Sequence, residues 1–399
     1  INMRVKLRLL RFGRGIRHSQ RRSLDYVHIS KPQARLLSEK WDSRKIAEFS
    51  VENPLKVLFC GRNFPFALEY TKAALKSRGV ENVVCTSCDA DMVAAEIKTS
   101  HVVVPLMMRL AEEHVLAGKD LRCILQYGVG LEGVDIEAAT RNKVHVSNIP
   151  SYMSGNAEAT AEHALHLLLC GLRRPALAQK VFEDGRLGEP LTRQILGKRV
   201  MILGFGSVGQ EIFKRIVGFS PSEIIALKNS QLLPDELEEL RGYLGGSSTL
   251  TVKTGEQDIE DLLCDVDIVI ISSTLTESTR GVVNRSFCTA LKPGAVVVNI
   301  ARGQIVENEA MCEALNSGQV GFFASDVGCT LNGARNPHFS VSEPFPPSDP
   351  LALHPNTLFT PHNGGIADVS YHNMGEIVAD TAIRISNNEP PAISVNGPF

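Results

Sequence analysis

Twice along this chain, short apolar runs alternate with segments of helical periodicity. That pattern points to parallel sheets flanked by helices, an α/β architecture. Between Leu55 and Pro150 the runs LKVLFC, HVVVPL and LRCILQYGVG read as strands, and FALEYTKAALKSRG and MMRLAEEHVLAG as helices. From Arg199 the alternation starts again: RVMIL, EIIAL, DIVIISS, AVVVNIA, GFFASDV and NTLFTPH read as strands, with helical segments such as IEDLLCDV and NEAMCEALNSG between them. Ala157 to Leu172 lies between the blocks and is helix-like and unusually apolar, which predicts burial between two domains.

A chain of 399 residues has the length for two or three domains with real cores. No run of about 18 apolar residues occurs, so no membrane partner is expected. The net charge of -2 hides an asymmetry, because residues 1–24 carry eight of the 42 Lys and Arg residues and no acid. The remaining 34 bases face 44 acids, and a body that acidic is a poor partner for nucleic acid. The basic, Arg- and Leu-rich start suits an organellar import segment for a chloroplast or mitochondrion; a plain basic tail on a cytoplasmic protein is the alternative. Residues 25–54 read as a charged lead-in. Nine scattered cysteines suit reduced thiols better than a disulfide framework. Cys85 and Cys88 form a C-x-x-C pair, but no second pair follows at zinc spacing, so no metal site is expected there.

Directly after RVMIL comes Gly204-Phe205-Gly206-Ser207-Val208-Gly209, followed by helix-like QEIFKRIV. At a strand-to-helix turn, Gly204 permits the tight bend, Gly206 lets the backbone approach a pyrophosphate and Gly209 allows close helix packing. Gly204, Gly206, Ser207, Val208 and Gly209 are therefore expected to cradle a dinucleotide, NADP or NAD. About 20 residues past the last glycine an acid normally binds the ribose hydroxyls. Lys228 stands there instead, followed by Asn229 and Ser230, which favours a 2′-phosphate. An ordinary exposed lysine at a strand end is the plainer explanation.

From Leu121 onward the motifs LQYGVGLEGVDIEAATRNKVHVSNIP, ATAEHALHLLL, GFGSVG, LKPGAVVVNIARGQIVENEAM, ASDV, SEPFPPSDPLALHPNTLFTPH occur in order. This arrangement resembles the D-isomer-specific 2-hydroxyacid dehydrogenase family over about residues 55–388. The resemblance implies two domains: a flavodoxin-like substrate domain, 55–152 completed by 363–399, and an inserted Rossmann doubly wound dinucleotide domain, 153–362. It also implies a homodimer supported by the apolar segment around Pro150 to Gln194.

Carried over by residue, the resemblance implies that Arg302 holds the substrate carboxylate and polarises its carbonyl. It makes His362 the acid/base and Glu343 the carboxylate that orients it, with Asp326 meeting the nicotinamide carboxamide. The amides around Val129 and Gly130 would cradle the substrate carboxylate. These residue types suit hydride transfer between NAD(P)H and a small 2-oxo acid, because charge builds on the carbonyl oxygen and must be stabilised and protonated. His163 and His166, three apart on the apolar helix, read as packing or crossing-helix residues and not as metal ligands. One departure stands out: GCTLNGARNPHFSVS separates Asp326-Val327 from Glu343, a loop insertion of about a dozen residues that could displace Glu343. A catalytically weak, corepressor-like nucleotide sensor of the same fold is the competing reading.

Overall fold

The computed structural model describes residues 48–246, 248–255, 259–328 and 349–397. The basic segment 1–24 and Glu343 lie outside the described residues. Each alternating block folds as one parallel sheet. The first contains β1 (Leu55–Cys60), β2 (Val83–Cys88), β3 (Val102–Val104), β4 (Cys123–Gln126) and β5 (His145–Asn148). Their spatial order is β2-β1-β3-β4-β5, the flavodoxin-like winding. The second contains β6 (Arg199–Leu203), β7 (Glu223–Lys228), β8 (Thr249–Thr254), β9 (Ile268–Ile271), β10 (Ala295–Asn299), β11 (Val320–Ser325) and β12 (Thr357–Phe359). Their order, β12-β11-β10-β9-β6-β7-β8, is the Rossmann winding with one extra strand at an edge.

The central strands β9 and β10 are buried along their whole length, as Val- and Ile-rich strands covered on both faces must be. On one face lies α2 (Asn156–Arg173), whose Ala161, Ala164, Leu168 and Leu172 join Val296, Val298 and Phe322 in one apolar cluster. It begins after Gly155, whose φ of +75° turns the chain sharply into the helix. The helix α3 (Ser207–Ile216) packs on the same cluster through Ile212, Phe213 and Ile216. After β12 the chain returns to the first sheet. There α4 (Asp368–Ser386) packs Tyr371, Met374 and Val378 with Val57 of β1 and with Ala67 and Leu75 of α1 (Pro65–Ser77). The C-terminal stretch then covers the β5 edge, where Val395 N donates to Val146 O at 2.8 Å.

One local expectation changes. The run MMRLAEEHVLAG is helical only from Glu112 to Ala117. Leu110 is drawn into a bridge with Val134 instead, and its amide donates to Gly133 O at 2.8 Å. The segment TLTVKT, too polar to stand out as a strand, forms β8 because an edge strand is half-exposed. The Cys85 and Cys88 pair lies along β2, three residues apart, so the two side chains leave opposite faces of the sheet. Cys85 joins the cluster under α4 and Cys88 the cluster on the other face, an arrangement that disfavours joint metal ligation.

Candidate active site

The chain leaves β6 at Gly204, where φ is +97° and an added Cβ would strike the Ser273 backbone. Ser272 Oγ donates to Gly204 O at 2.7 Å and fixes the turn. A Cβ at Gly209 would collide with the Gly204 carbonyl, so this glycine sets how closely α3 can approach β6. At Gly206 a Cβ would meet nothing within 4 Å. No contact within the protein requires glycine there, and the residue is exposed at the start of α3, beside Ser207 and Val208. An open glycine in front of unpaired helix amides fits a pyrophosphate approaching from outside. Lys228 is the last residue of β7, with Asn229 and Ser230 exposed after it. Its backbone carbonyl accepts from Gly255 N at 3.2 Å, and its side chain forms no ion pair among the described residues.

Arg302 follows the carboxyl end of β10. The side chain of Asn299, buried at the end of that strand, accepts from Ala301 N and donates to Arg302 O, both at 3.0 Å. This Asn-shaped turn projects the guanidinium toward the loop that follows β4. There Arg302 Nε lies 3.3 Å from Glu132 Oε1, while Arg302 Nη1 donates to Ala301 O at 2.8 Å. A Cβ at Gly130 would run into both the guanidinium and the Glu132 carboxylate, so glycine is what allows the loop to approach. Val129 is exposed, and its carbonyl accepts from Asn148 Nδ2 at 2.9 Å. The Val129 and Gly130 amides donate to no carbonyl among the described residues, which leaves them available to an anion.

His362 follows β12 in the left-handed region, at φ 55°, and meets the edge of Phe64 with ring centroids 6.0 Å apart. Its Nδ1 is buried without a hydrogen-bond partner among the described residues. Burial pulls the His362 pKa down; Asp326 pulls it up, Arg302 down and Glu132 up, and the net position is below the ordinary value. Asp326, at the end of β11, accepts from Thr360 Oγ1 at 2.5 Å, Asn363 N at 2.9 Å and Gly364 N at 2.8 Å. Burial works to raise this carboxyl, but His163, with Nε2 3.4 Å from Oδ1, the Thr360 hydroxyl and the His362 imidazole outweigh it and hold the group below the usual carboxylate range.

The fold therefore brings Arg302, Val129, Gly130 and His362 together where the carboxyl ends of both sheets meet, the usual place for ligands in open α/β sheets. Asp326 lies beside them with both oxygens engaged by the protein. Glu343, the expected partner of His362, lies outside the described residues, and a buried, unpartnered Nδ1 is the kind of atom it would satisfy. Sequence reasoning missed Glu132, Asn299 and Thr360. It read His163 as a packing or crossing-helix residue; its Nε2 lies 2.9 Å from Thr360 Oγ1 and 3.4 Å from Asp326 Oδ1. His166 contacts Cys170, Nε2 to Sγ 3.7 Å. Among the described residues no group of three His, Cys, Asp or Glu side chains could hold a metal ion.

The family model described as D-isomer specific 2-hydroxyacid dehydrogenase, NAD binding domain, matches residues 165–364. A glyoxylate reductase of Thermococcus gammatolerans is 30% identical over 285 residues, covering 69% of this chain and 76% of that protein. A D-3-phosphoglycerate dehydrogenase of Archaeoglobus fulgidus is 28% identical over 347 residues; the match takes in 86% of this chain but only 60% of that relative's length. Among solved structures, a protein of Thermus thermophilus has a TM-score of 0.68 at 26% identity, covering 86% of this chain and 100% of that one.

Proposed function

The chain belongs to the D-isomer-specific 2-hydroxyacid dehydrogenase family, and from that membership we propose that it reduces glyoxylate, hydroxypyruvate or a similar small 2-oxo acid to the D-2-hydroxy acid, with NADPH preferred. The single observation that carries this reading is the meeting of Arg302, the Val129 and Gly130 amides, which have no carbonyl partner among the described residues, and His362 at one place.

When bound, the reduced nicotinamide supplies the hydride. The residues around Gly206 would hold its pyrophosphate, and Lys228 with Asn229 its ribose end. Arg302 is permanently charged and planar, so it grips the substrate carboxylate with paired N–H groups while drawing charge toward the carbonyl oxygen. The Val129 and Gly130 amides take the other side of that carboxylate. As the carbonyl carbon gains the hydride its oxygen becomes anionic, and His362 in its protonated form delivers the proton that completes the hydroxy acid. Phe64 stands at right angles to the imidazole as its apolar neighbour, ring centroids 6.0 Å apart.

The test is nicotinamide oxidation by purified protein against a panel of small 2-oxo acids with both cofactors. Turnover of a two- or three-carbon oxo acid supports the reading. Dinucleotide binding without turnover of any acid would favour the corepressor-like sensor instead. A homodimer is part of the same proposal, supported by exposed Phe182, Leu187 and Leu191 after α2; sedimentation of the purified protein at the mass of one chain would reject it.

A further inference from the structure

We propose that His163, on α2, is a positioning residue for the His362 imidazole and acts through Thr360 and Asp326. The inference rests on the reductase reading but concerns a residue outside the contacts that reading invokes. Thr360 Oγ1 has one hydrogen, and it is committed to Asp326 Oδ1 at 2.5 Å. The same hydroxyl lies 2.9 Å from His163 Nε2, so it must accept there, and His163 must carry its hydrogen on Nε2. The direction of the relay is thereby fixed: His163 donates to Thr360, and Thr360 donates to Asp326.

Asp326 also takes the amides of Asn363 and Gly364, the two residues after His362. One buried carboxylate thus grips the chain on both sides of Pro361-His362. The grip matters because His362 sits at φ 55°, a conformation that a non-glycine residue keeps only when its surroundings hold it. Contact is close throughout: a Cβ on Gly364 would lie 2.8 Å from Asp326 Oδ2 and 3.2 Å from His163 Cδ2. Because α2 buries its apolar side on β10 and β11, His163 ties the imidazole to the rigid part of the dinucleotide domain.

Two electrostatic surroundings are involved. His163 faces Asp326, with the His166 ring 5.8 Å away on its own helix. His362 responds to Asp326, Arg302 and Glu132. Asp326 faces both imidazoles. Hydrogen bonds donated to it from the His163 side draw its charge away from His362, so losing them frees that charge to favour the His362 imidazolium.

The experiment compares His163→Phe, which fills the ring's space without a donor, with His163→Gln, which restores one. Readouts are kcat and KM for the oxo acid, dinucleotide Kd, thermal melting and the titration of the His362 imidazole followed by NMR. In His163→Phe, kcat falls by about tenfold or more, the scale of a misplaced catalytic group. Oxo-acid KM and dinucleotide Kd stay within about threefold of the parent, and the His362 titration moves to higher pH. His163→Gln recovers most of both changes. Equal losses in the two variants would reduce His163 to packing and overturn the proposal, as would an unchanged kcat and titration in His163→Phe. Should His163→Phe fail to fold, Thr360→Val removes the relay's middle hydroxyl and must reproduce the same kcat loss and titration shift; a parent-like Thr360→Val overturns it. If the parent protein turns over no oxo acid, the reductase reading fails by itself, and the His362 titration still decides the role of His163.

Discussion

Glu132 and Arg302 form an ion pair, Nε to Oε1 3.3 Å, between the loop after β4 of one sheet and the loop after β10 of the other. The pair holds the guanidinium by its Nε while Ala301 O takes a hydrogen of Nη1. Among the described residues the Nη2 end, which faces Gly130, has no hydrogen-bond partner, and it is the end a substrate carboxylate would meet. Glu132 thus orients Arg302 without consuming its binding edge. Glu132→Ala is expected to raise oxo-acid KM by roughly tenfold with kcat nearly unchanged, the pattern of lost ground-state binding. Glu132→Gln keeps an acceptor at the same reach and should stay within about threefold of the parent. Steady-state kinetics of both variants check this, and two parent-like variants would remove Glu132 from the site.

The glycine turn separates packing from ligand contact. Gly206→Ala adds a methyl that meets nothing in the protein, so its melting temperature should match the parent while dinucleotide affinity falls about tenfold or more. Gly209→Ala drives a methyl into the Gly204 carbonyl and should lose stability as well, by about 1–3 kcal/mol. Thermal melting paired with fluorescence titration of NADPH reads both effects. Undiminished affinity in Gly206→Ala would show that the pyrophosphate does not pass this residue.

His362→Ala is expected to lower turnover about a hundredfold or more, the usual scale for a lost general acid. The pH dependence carries a sign. Reduction needs the imidazolium, so kcat/KM falls as pH rises through the His362 pKa. The described surroundings place that pKa below its ordinary value, burial being the largest cause. A Glu343 carboxylate on the unpartnered Nδ1 would favour the charged form and carry the fall-off to higher pH. Glu343→Gln removes that charge, so its fall-off should move back toward acid by about one unit or more. A profile identical to the parent's would mean that the insertion has carried Glu343 away from the imidazole.

What could be seen in the sequence was local. Gly204 and Gly209 could be read because a tight turn and a close helix demand glycine whatever else surrounds them, whereas Arg302 and His362 came only from the family resemblance of the motifs that hold them. Glu132 and the relay through His163 stayed hidden for a physical reason. Their chemistry lies in pairing across the fold: His163 and Thr360 are 197 residues apart in the chain, and no local pattern encodes such a contact. Strand β8 escaped for a related reason, since an edge strand needs little apolar character. The helix at Glu112–Ala117 came out short because Leu110 found a partner in Val134, which helical periodicity alone could not foresee.

Cofactor choice turns on Lys228 at the end of β7. A carboxylate at that position would hydrogen-bond both ribose hydroxyls of NADH and repel a 2′-phosphate. Lys228 removes the repulsion and adds a cation, and it forms no ion pair among the described residues that a phosphate would have to displace. The exposed Asn229 and Ser230 can add neutral donors beside it. Charge-assisted hydrogen bonds contribute about 1.5–3 kcal/mol, which at about 1.4 kcal/mol per decade gives a ten- to hundredfold preference for NADPH. Lys228→Asp should reverse the order, because the new carboxylate repels the phosphate and regains the ribose contacts. Michaelis constants for both cofactors in the parent and in Lys228→Asp decide the matter. Equal constants in the parent, or a variant that does not move toward NADH, would show that Lys228 points to solvent and that selection rests on another residue.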